Sequence, residues 1–346
     1  MEWQSHIDTR RLAAWLADQG LGDGEVTNGR LLGGGTQNLL LKFEYNGRSL
    51  VLRRPPPHLR ANSNETMRRE MRMLEALADS LVPHPRLVAG CPDEDVLGAA
   101  FYVMEPVDGF APVNGLPERH ATDAAVRRQM GLSLVDGIVA LGAVDFEEVG
   151  LAGFGKPDNY LQRQVSRWQR QLQSYADFPG WPGPRSIPGV DTVAGWLERH
   201  RPAGFEPGII HGDYHMGNVM VRHDSGELAA IVDWELTTIG DPLLDLGWVL
   251  ATWPGESKDD DTIEQFRLKP WDGFPEASEL VEHYRAGSHR DLSAIDWYAV
   301  LACYKLGIIL EGTHARACAG KAPKATGEQL HASTVALFER ALGWVR

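Results

Sequence analysis

The stretch His211-Gly212-Asp213-Tyr214-His215-Met216-Gly217-Asn218 sets an aspartate five residues before an asparagine, and a second aspartate, Asp233, follows fifteen residues later. The runs Asn218 to Val221 and Leu228 to Val232 are β-rich and flank Asp224-Ser225-Gly226, which predicts an antiparallel hairpin. Symmetry about that turn would set Asn218 opposite Asp233 on one face, about 5 Å apart at Cβ. An amide and a carboxylate so placed suit one hard cation whose other positions go to phosphate oxygens and water. Asp213 falls in the loop after Ile209-Ile210, which reads as the end of a buried strand. A carboxylate there could accept the proton of an attacking hydroxyl while a cation neutralises a transferred phosphoryl group. The spacing is that of a magnesium-dependent phosphotransfer site.

Two plainer readings compete. Asp213 and Asn218 could be turn formers only, or His211, Asp213 and His215 could be the metal cluster of a hydrolase. Neither explains Asp233 at the matching hairpin register. Protein kinases usually carry Arg and Lys where this loop has Gly212 and His215. The pattern H-G-D-x-H-x-x-N resembles the aminoglycoside phosphotransferase and choline-kinase-like superfamily. That resemblance implies an α+β, bilobal protein-kinase-like fold with a small β-rich N-terminal lobe and a large, mainly helical C-terminal lobe. It also implies Asp213 as catalytic base, Asn218 and Asp233 as metal ligands, and ATP and Mg2+ as cofactors.

The elements that must position these groups begin with a helix predicted over Ile7 to Gly20, with Asp8 as a possible cap and Leu12, Trp15 and Leu16 as its apolar stripe. A glycine-rich turn, Gly33-Gly34-Gly35-Thr36-Gln37-Asn38, separates two strand-like runs, and its amides could approach phosphates without Cβ interference. Asn46-Gly47 then predicts a two-residue hairpin joining Leu39–Tyr45 to Arg48–Arg53. Beyond the Pro55-Pro56-Pro57 break, Asn62 and Glu65 predict a capping box. In the helix that follows, Glu70 lies within the apolar stripe of Met67, Met71, Leu74 and Leu77 and therefore needs a partner. Arg53 is the candidate, with Arg69 an alternative. The resemblance makes Arg53 and Glu70 the ion pair that holds nucleotide phosphates. Arg53 departs from the usual Lys, and Lys42 and Arg54 are rivals for that place; a guanidinium can still engage phosphate through two parallel bonds.

The apolar run Phe101 to Met104 leads into Glu105-Pro106-Val107-Asp108-Gly109. It resembles the inter-lobe hinge, which implies adenine contacts through the Glu105 and Val107 main chain and the Met104 side chain. The expected division is therefore 1–104, a hinge at 105–109, and 110–346. Helices are predicted over Thr122 to Gly142 and from Asn159 through Trp168, and Asp241-Pro242 should start another. Asp245 could receive hydrogen bonds from the catalytic-loop backbone. The resemblance runs from about Gly33 to about Trp253, and its details are most similar to the kinase-like domains fused to some acyl-CoA dehydrogenases. It leaves the acceptor open. His215, Glu235, Tyr298, Tyr304, Lys305 and Arg316 are candidate acceptor contacts, although core packing competes for each. Lys305 and Arg316 lean toward a hydroxy acid or hydroxyacyl thioester over an aminoglycoside. A catalytically weak nucleotide-binding module is the alternative, and a protein kinase is disfavoured by His215.

Composition agrees. The chain has 43% apolar and 23% charged residues and a net charge of −13. Residues 1–104 hold 12 Lys+Arg against 13 Asp+Glu, so the acidity lies in the remainder and disfavours nucleic-acid binding. Trp297 to Leu310 is apolar but short and contains Lys305, so a buried helix is expected rather than a membrane span. The N-terminus lacks a basic region and apolar core, and Cys91, Cys303 and Cys318 are too scattered for a disulfide framework or a zinc site. A cytoplasmic setting and a small-molecule hydroxyl as partner are the resulting expectations.

Overall fold

The computed structural model describes residues 3–33, 38–56, 62–254 and 268–345. The chain forms two units. The first comprises 1–109, 149–151 and 229–237. Its opening helix, α1 (Thr9–Leu16), is capped by Asp8, whose carboxylate accepts from the Arg10 and Arg11 N–H groups at 3.1 and 3.0 Å. The helix stops short of Gly20 because Ala17–Leu21 winds into a wider turn in which Gly20 takes φ +80°.

Three strands follow, β1 (Thr27–Leu31), β2 (Leu39–Tyr45) and β3 (Arg48–Arg54). Asn46 and Gly47 both adopt positive φ, 49° and 74°, which a two-residue turn matched to strand twist requires. The turn fixes the register, Tyr45 opposite Arg48 and Leu40 opposite Arg53. Helix α2 (Ser63–Ala76) begins without the expected capping box: Asn62 sits at φ −109°, ψ 9°, outside the extended region a cap uses, and its side chain makes no cap bond. Strands β4 (Leu87–Cys91) and β5 (Phe101–Met104) complete an antiparallel sheet of order β1-β2-β3-β5-β4. Alternating Leu41, Phe43, Leu50, Leu52, Phe101 and Val103 bury one face with Leu12 and Leu16 of α1. Each large apolar side chain so buried contributes roughly 1.5–3 kcal/mol.

The second unit comprises 110–148, 152–228 and 238–346 and is mainly helical. The helix expected over Thr122 to Gly142 is α4 (Ala124–Gly142), capped by Asp123 through the Ala125 N–H at 2.8 Å, and a short α3 (Glu118–Thr122) precedes it. A short 3-10 turn over Leu161–Arg163 leads into α5 (Gln164–Ser174), and α6 (Val190–Arg199) follows. Next come β6 (Gly208–Ile210), β7 (Val219–Val221), β8 (Leu228–Ile231), whose residues from 229 on belong to the first unit, and β9 (Thr238–Gly240), with β6 and β9 antiparallel. The Asp224-Ser225-Gly226 turn is closed by the Arg222 N–H donating to the Glu227 carbonyl at 3.0 Å. The last helices are α7 (Leu243–Thr252), α8 (Ala277–Gly287), α9 (Ile295–Cys318) and α10 (Lys324–Trp344). Most of α9 is buried, and no described helix is long and apolar enough to cross a membrane.

The opening segment of the first unit ends at Gly109. The two later returns to the first unit were not legible in the sequence. Within that unit the Ile231 N–H donates to the Pro83 carbonyl at 2.8 Å and Arg72 donates to the Gly150 carbonyl at 2.6 Å, which ties both segments in. Gly34, Gly35, Thr36 and the Glu256 to Asp261 tract lie outside the described residues.

Candidate active site

Strand β6 delivers the chain into the His211–Asn218 loop, and the loop is held by its peptide groups. Asp245, fully buried near the start of α7, accepts the His211 N–H at 2.6 Å and the Gly212 N–H at 2.9 Å. Lys305 of α9 donates to the Gly212 carbonyl at 2.8 Å. Gly212 is thus gripped through both of its peptide groups, at φ +86°, where a Cβ would be strained. On the other side of Asp213, Tyr214 is completely buried and its hydroxyl donates to the Leu134 carbonyl on α4 at 2.8 Å. The Asp213 carboxylate therefore stands on a short segment fixed at both flanks.

Asn218 donates through Nδ2 to Asp213 Oδ2 at 3.0 Å and to the Asp213 carbonyl at 2.9 Å. Both partners are acceptors, so the amide orientation is forced. No described residue donates to its Oδ1. His215 accepts the Gly217 N–H on Nδ1 at 2.9 Å, and its Nε2 lies 3.5 Å from Asp213 Oδ1. Burial would raise the Asp213 pKa, but the His215 contact together with the charges of His215, His211 and Lys305 outweighs it and holds the group down to about 2. Asp213 is anionic throughout the physiological range. So weak a base is suited to orienting a hydroxyl and taking its proton late in a loose phosphoryl transfer.

Lys305 sits 4.4 Å from the Trp248 ring centroid and lines a cavity of about 20 Å3 with Gly212, Asp245 and Trp248. Burial lowers its pKa to about 8, against the pull of Asp213 and Asp245. Its ordinary value is 10.5, so between about 8 and 10.5 the unfolded chain binds more protons than the folded one. Stability contributed at this site must then rise with pH across that window, and the cost of the buried ammonium is fully present below it. Relative to Lys305→Met, the wild-type unfolding free energy in urea is expected to increase by roughly 2–3 kcal/mol between the two ends of the window. A flat difference would show that Lys305 titrates normally.

The other acceptor candidates are dispersed. The Tyr298 hydroxyl is buried and donates to Asp241, which also caps α7 through the Leu243 N–H at 3.1 Å. Tyr304 is buried with its ring 5.7 Å from that of Phe338. Core packing accounts for both. Arg316 is exposed on α9, and Lys305 is spent on Gly212.

The first unit carries the other charged cluster. Arg53 Nε lies 2.9 Å from Glu70 Oε2, and Arg53 Nη2 donates to Asp233 Oδ1 at 2.7 Å. The buried Glu70 carboxylate also accepts the Tyr102 hydroxyl at 2.7 Å. Burial opposes the Arg53 charge, but the surrounding groups, Glu70 and Asp233 among them, hold its pKa above the ordinary value. The rivals are placed otherwise: Lys42 pairs with Val51 across the strands, Arg54 Nε donates to the Pro55 carbonyl, and Arg69 donates to the Thr237 carbonyl. Asp233 itself takes φ +66°, a conformation that aspartate tolerates better than most side chains. Its carboxylate lies with those of Glu70 and Glu235, each offering an oxygen within 4.8 Å of the others. Tyr102 was missed by sequence reasoning, although its place opposite Arg53 on β5 follows once the strand register is known.

In the connector, the Glu105 N–H donates to the Arg86 carbonyl at 2.9 Å. Met104 is half-buried. Gly33 is exposed and Asn38 half-buried. Asn218 belongs to the second unit and Asp233 to the first, so the geometry above is that of each in its own setting.

Residues 28–280 match the model of the phosphotransferase enzyme family, APH. The chain is 28% identical over 305 residues to mouse acyl-CoA dehydrogenase family member 10, covering 85% of this chain and 27% of that protein. To family member 11 of Rattus norvegicus it is 29% identical over 331 residues, covering 90% of this chain and 40% of the relative. It therefore spans less than half the length of these relatives. A solved structure from Ralstonia eutropha, provisionally designated an aminoglycoside phosphotransferase, superposes with a TM-score of 0.79 at 28% identity, covering 97% of this chain and 99% of that one. With the five-stranded sheet, the helical second unit and the His211–Asn218 loop in place, the chain belongs to the APH phosphotransferase enzyme family and has its kinase-like α+β fold.

Proposed function

We propose that the protein transfers the γ-phosphoryl group of ATP to a hydroxyl of a small molecule, with magnesium. The observation that carries this is the setting of Asp213: anionic, on a loop fixed by Asp245, Lys305 and Tyr214, with the Asn218 amide hydrogen-bonded to it. Asp213 orients the acceptor hydroxyl and receives its proton. Arg53, held by Glu70, positions the phosphates, and the connector main chain at Glu105 and Val107 receives the base. Asn218 Oδ1 and the Asp233 carboxylate are oxygen donors of the kind a hard divalent cation prefers, and they would hold it. When bound, magnesium supplies charge neutralisation at the phosphates.

For the acceptor, the engagement of Lys305 with Gly212 withdraws that residue as a reader of carboxylates. Relatives named as acyl-CoA dehydrogenase family members instead favour a hydroxyacyl thioester or hydroxy acid over an aminoglycoside. A second reading, a nucleotide-binding module with little turnover, is favoured by one contact: the Arg53 guanidinium is already on Asp233, the residue expected to hold the metal. A screen of hydroxy acids, hydroxyacyl thioesters, other hydroxylated metabolites and aminoglycosides for ADP release separates the two. The expected result is acceptor-dependent ADP formation that requires Mg2+ and disappears with a chelator. Nucleotide binding without turnover in every pool would establish the module.

A further inference from the structure

On α9, outside the site above, a nucleophilic side chain stands in contact with a base. Glu311, His314 and Cys318 follow one another at three and four residues, so they line up along one face of that helix. The contacts are continuous. His314 Nδ1 lies 2.9 Å from Glu311 Oε1, and Cys318 Sγ lies 3.5 Å from His314 Nε2. An ionised carboxylate only accepts, so the His314 proton sits on Nδ1, and Nε2 of the neutral ring turns its lone pair to the thiol. Nucleophile, base and a third group that orients the base are the parts of an activated thiol.

The carboxylate behind the base is itself held. Glu311 is completely buried, and it also accepts the Trp181 indole N–H on Oε1 at 2.7 Å and the His331 Nδ1 proton on Oε2 at 2.7 Å. Donors from α9, from α10 and from the segment between α5 and α6 thus fix the carboxylate, and through it the direction of His314 Nε2. Cys318 by contrast is exposed, and 13% of the His314 side chain stays open to solvent. A reagent in solution reaches the pair.

The surroundings of the thiol select its chemistry. Acyl transfer builds negative charge on a carbonyl oxygen and needs N–H donors aimed at that oxygen. The three peptide N–H groups after Cys318 are already spent: Ala319 donates to the Ala315 carbonyl at 3.2 Å, Gly320 to that of Ala317 at 3.0 Å and Lys321 to that of Arg316 at 2.8 Å. An internal disulfide is also closed to it. Cys303 is completely buried on the same helix, about 22 Å away along the axis, and Cys91 is buried in the sheet of the first unit. Exchange with a small external disulfide needs only an ionised sulfur and a proton for the sulfur that leaves.

We propose that Cys318 is a thiol-exchange site for low-molecular-weight disulfides, with His314 as its base and Glu311 as the positioning residue. Cys318 Sγ gives its proton to His314 Nε2 and attacks one sulfur of a disulfide R–S–S–R. The bond Cys318–S–S–R forms, the S–S bond of the reagent breaks, and the leaving sulfur takes the proton from His314 to depart as R–SH. One disulfide replaces another, so no further oxidant enters. The count of cysteines hides the site, because the partner of this thiol is a histidine and not a second thiol.

The test uses the full chain with its thiols reduced and glutathione disulfide as the probe. Adducts are located by mass spectrometry, and rates are read at two pH values. Wild type is expected to form one mixed disulfide, at Cys318, and Cys318→Ser none. At pH 7, His314→Gln should react about fivefold more slowly than wild type; Glu311→Gln, which still accepts from His314 Nδ1 but lacks the charge, should be slower by at least about threefold. At about pH 9.5 an ordinary thiol ionises without a base, so the three rates should converge. A merely structural role would move both rates alike. Failure of wild type to form the Cys318 adduct, a wild-type rate in His314→Gln at pH 7, or an equal slowing at both pH values overturns the proposal.

Discussion

An Asp213→Asn protein is expected to fold as wild type does and to lose about 10²–10⁴-fold in kcat. The substitution keeps the shape of the side chain and an oxygen that can still accept from Asn218 Nδ2, now 3.0 Å away. What it removes is the negative charge and the site for the acceptor's proton. Both belong to the transition state, so kcat and kcat/KM should fall together, while KM for ATP stays close to wild type. The depressed pKa adds a second expectation. With Asp213 titrating near about 2, it contributes no acid limb to the rate profile above pH 4 or so, and any limb found there belongs to another group. Steady-state kinetics on an acceptor found by the screen checks both. A wild-type rate in Asp213→Asn removes this residue from the chemistry.

Much of this was legible in the chain. Asn46-Gly47 specified its hairpin because only residues tolerant of positive φ fit that turn, and the register followed from it. Glu70 announced an ion pair because a carboxylate inside an apolar helical stripe cannot be left alone, and Arg53 shared the face with Val51. Local rules of this kind failed where one residue decides the outcome. Asn62 had the right type for a cap and the wrong backbone angles. The bracing role of Asp245 was expected, but Lys305 was read as an acceptor contact. Nothing within the apolar pattern of α9 says that its lysine ends on a glycine carbonyl 93 residues away. Contacts of that range are set by helix packing, which sequence periodicity describes only one face at a time.

The Asp245–Lys305 pair yields the largest expected effect on stability. Asp245→Ala should cost about 3–5 kcal/mol, the range for breaking a buried charge arrangement by removing one member. Two causes combine. The His211 and Gly212 N–H groups, which the carboxylate accepts at 2.6 and 2.9 Å, lose their partner in a place closed to water. Lys305 also loses one of the two carboxylates that favour its charge, the other being Asp213. The second cause predicts non-additivity. In Lys305→Met the ammonium is gone, so adding Asp245→Ala should cost less than it does in wild type, by roughly 0.5–3 kcal/mol. Urea unfolding of the four proteins of that cycle measures the coupling. An additive result would mean that Asp245 acts through the backbone alone. Either way the peptide of Gly212 is released, and Asp213 follows directly after it. Asp245→Ala should therefore lower kcat even at temperatures where the variant is fully folded, and lower it more than Lys305→Met, which frees only the carbonyl side of the same glycine.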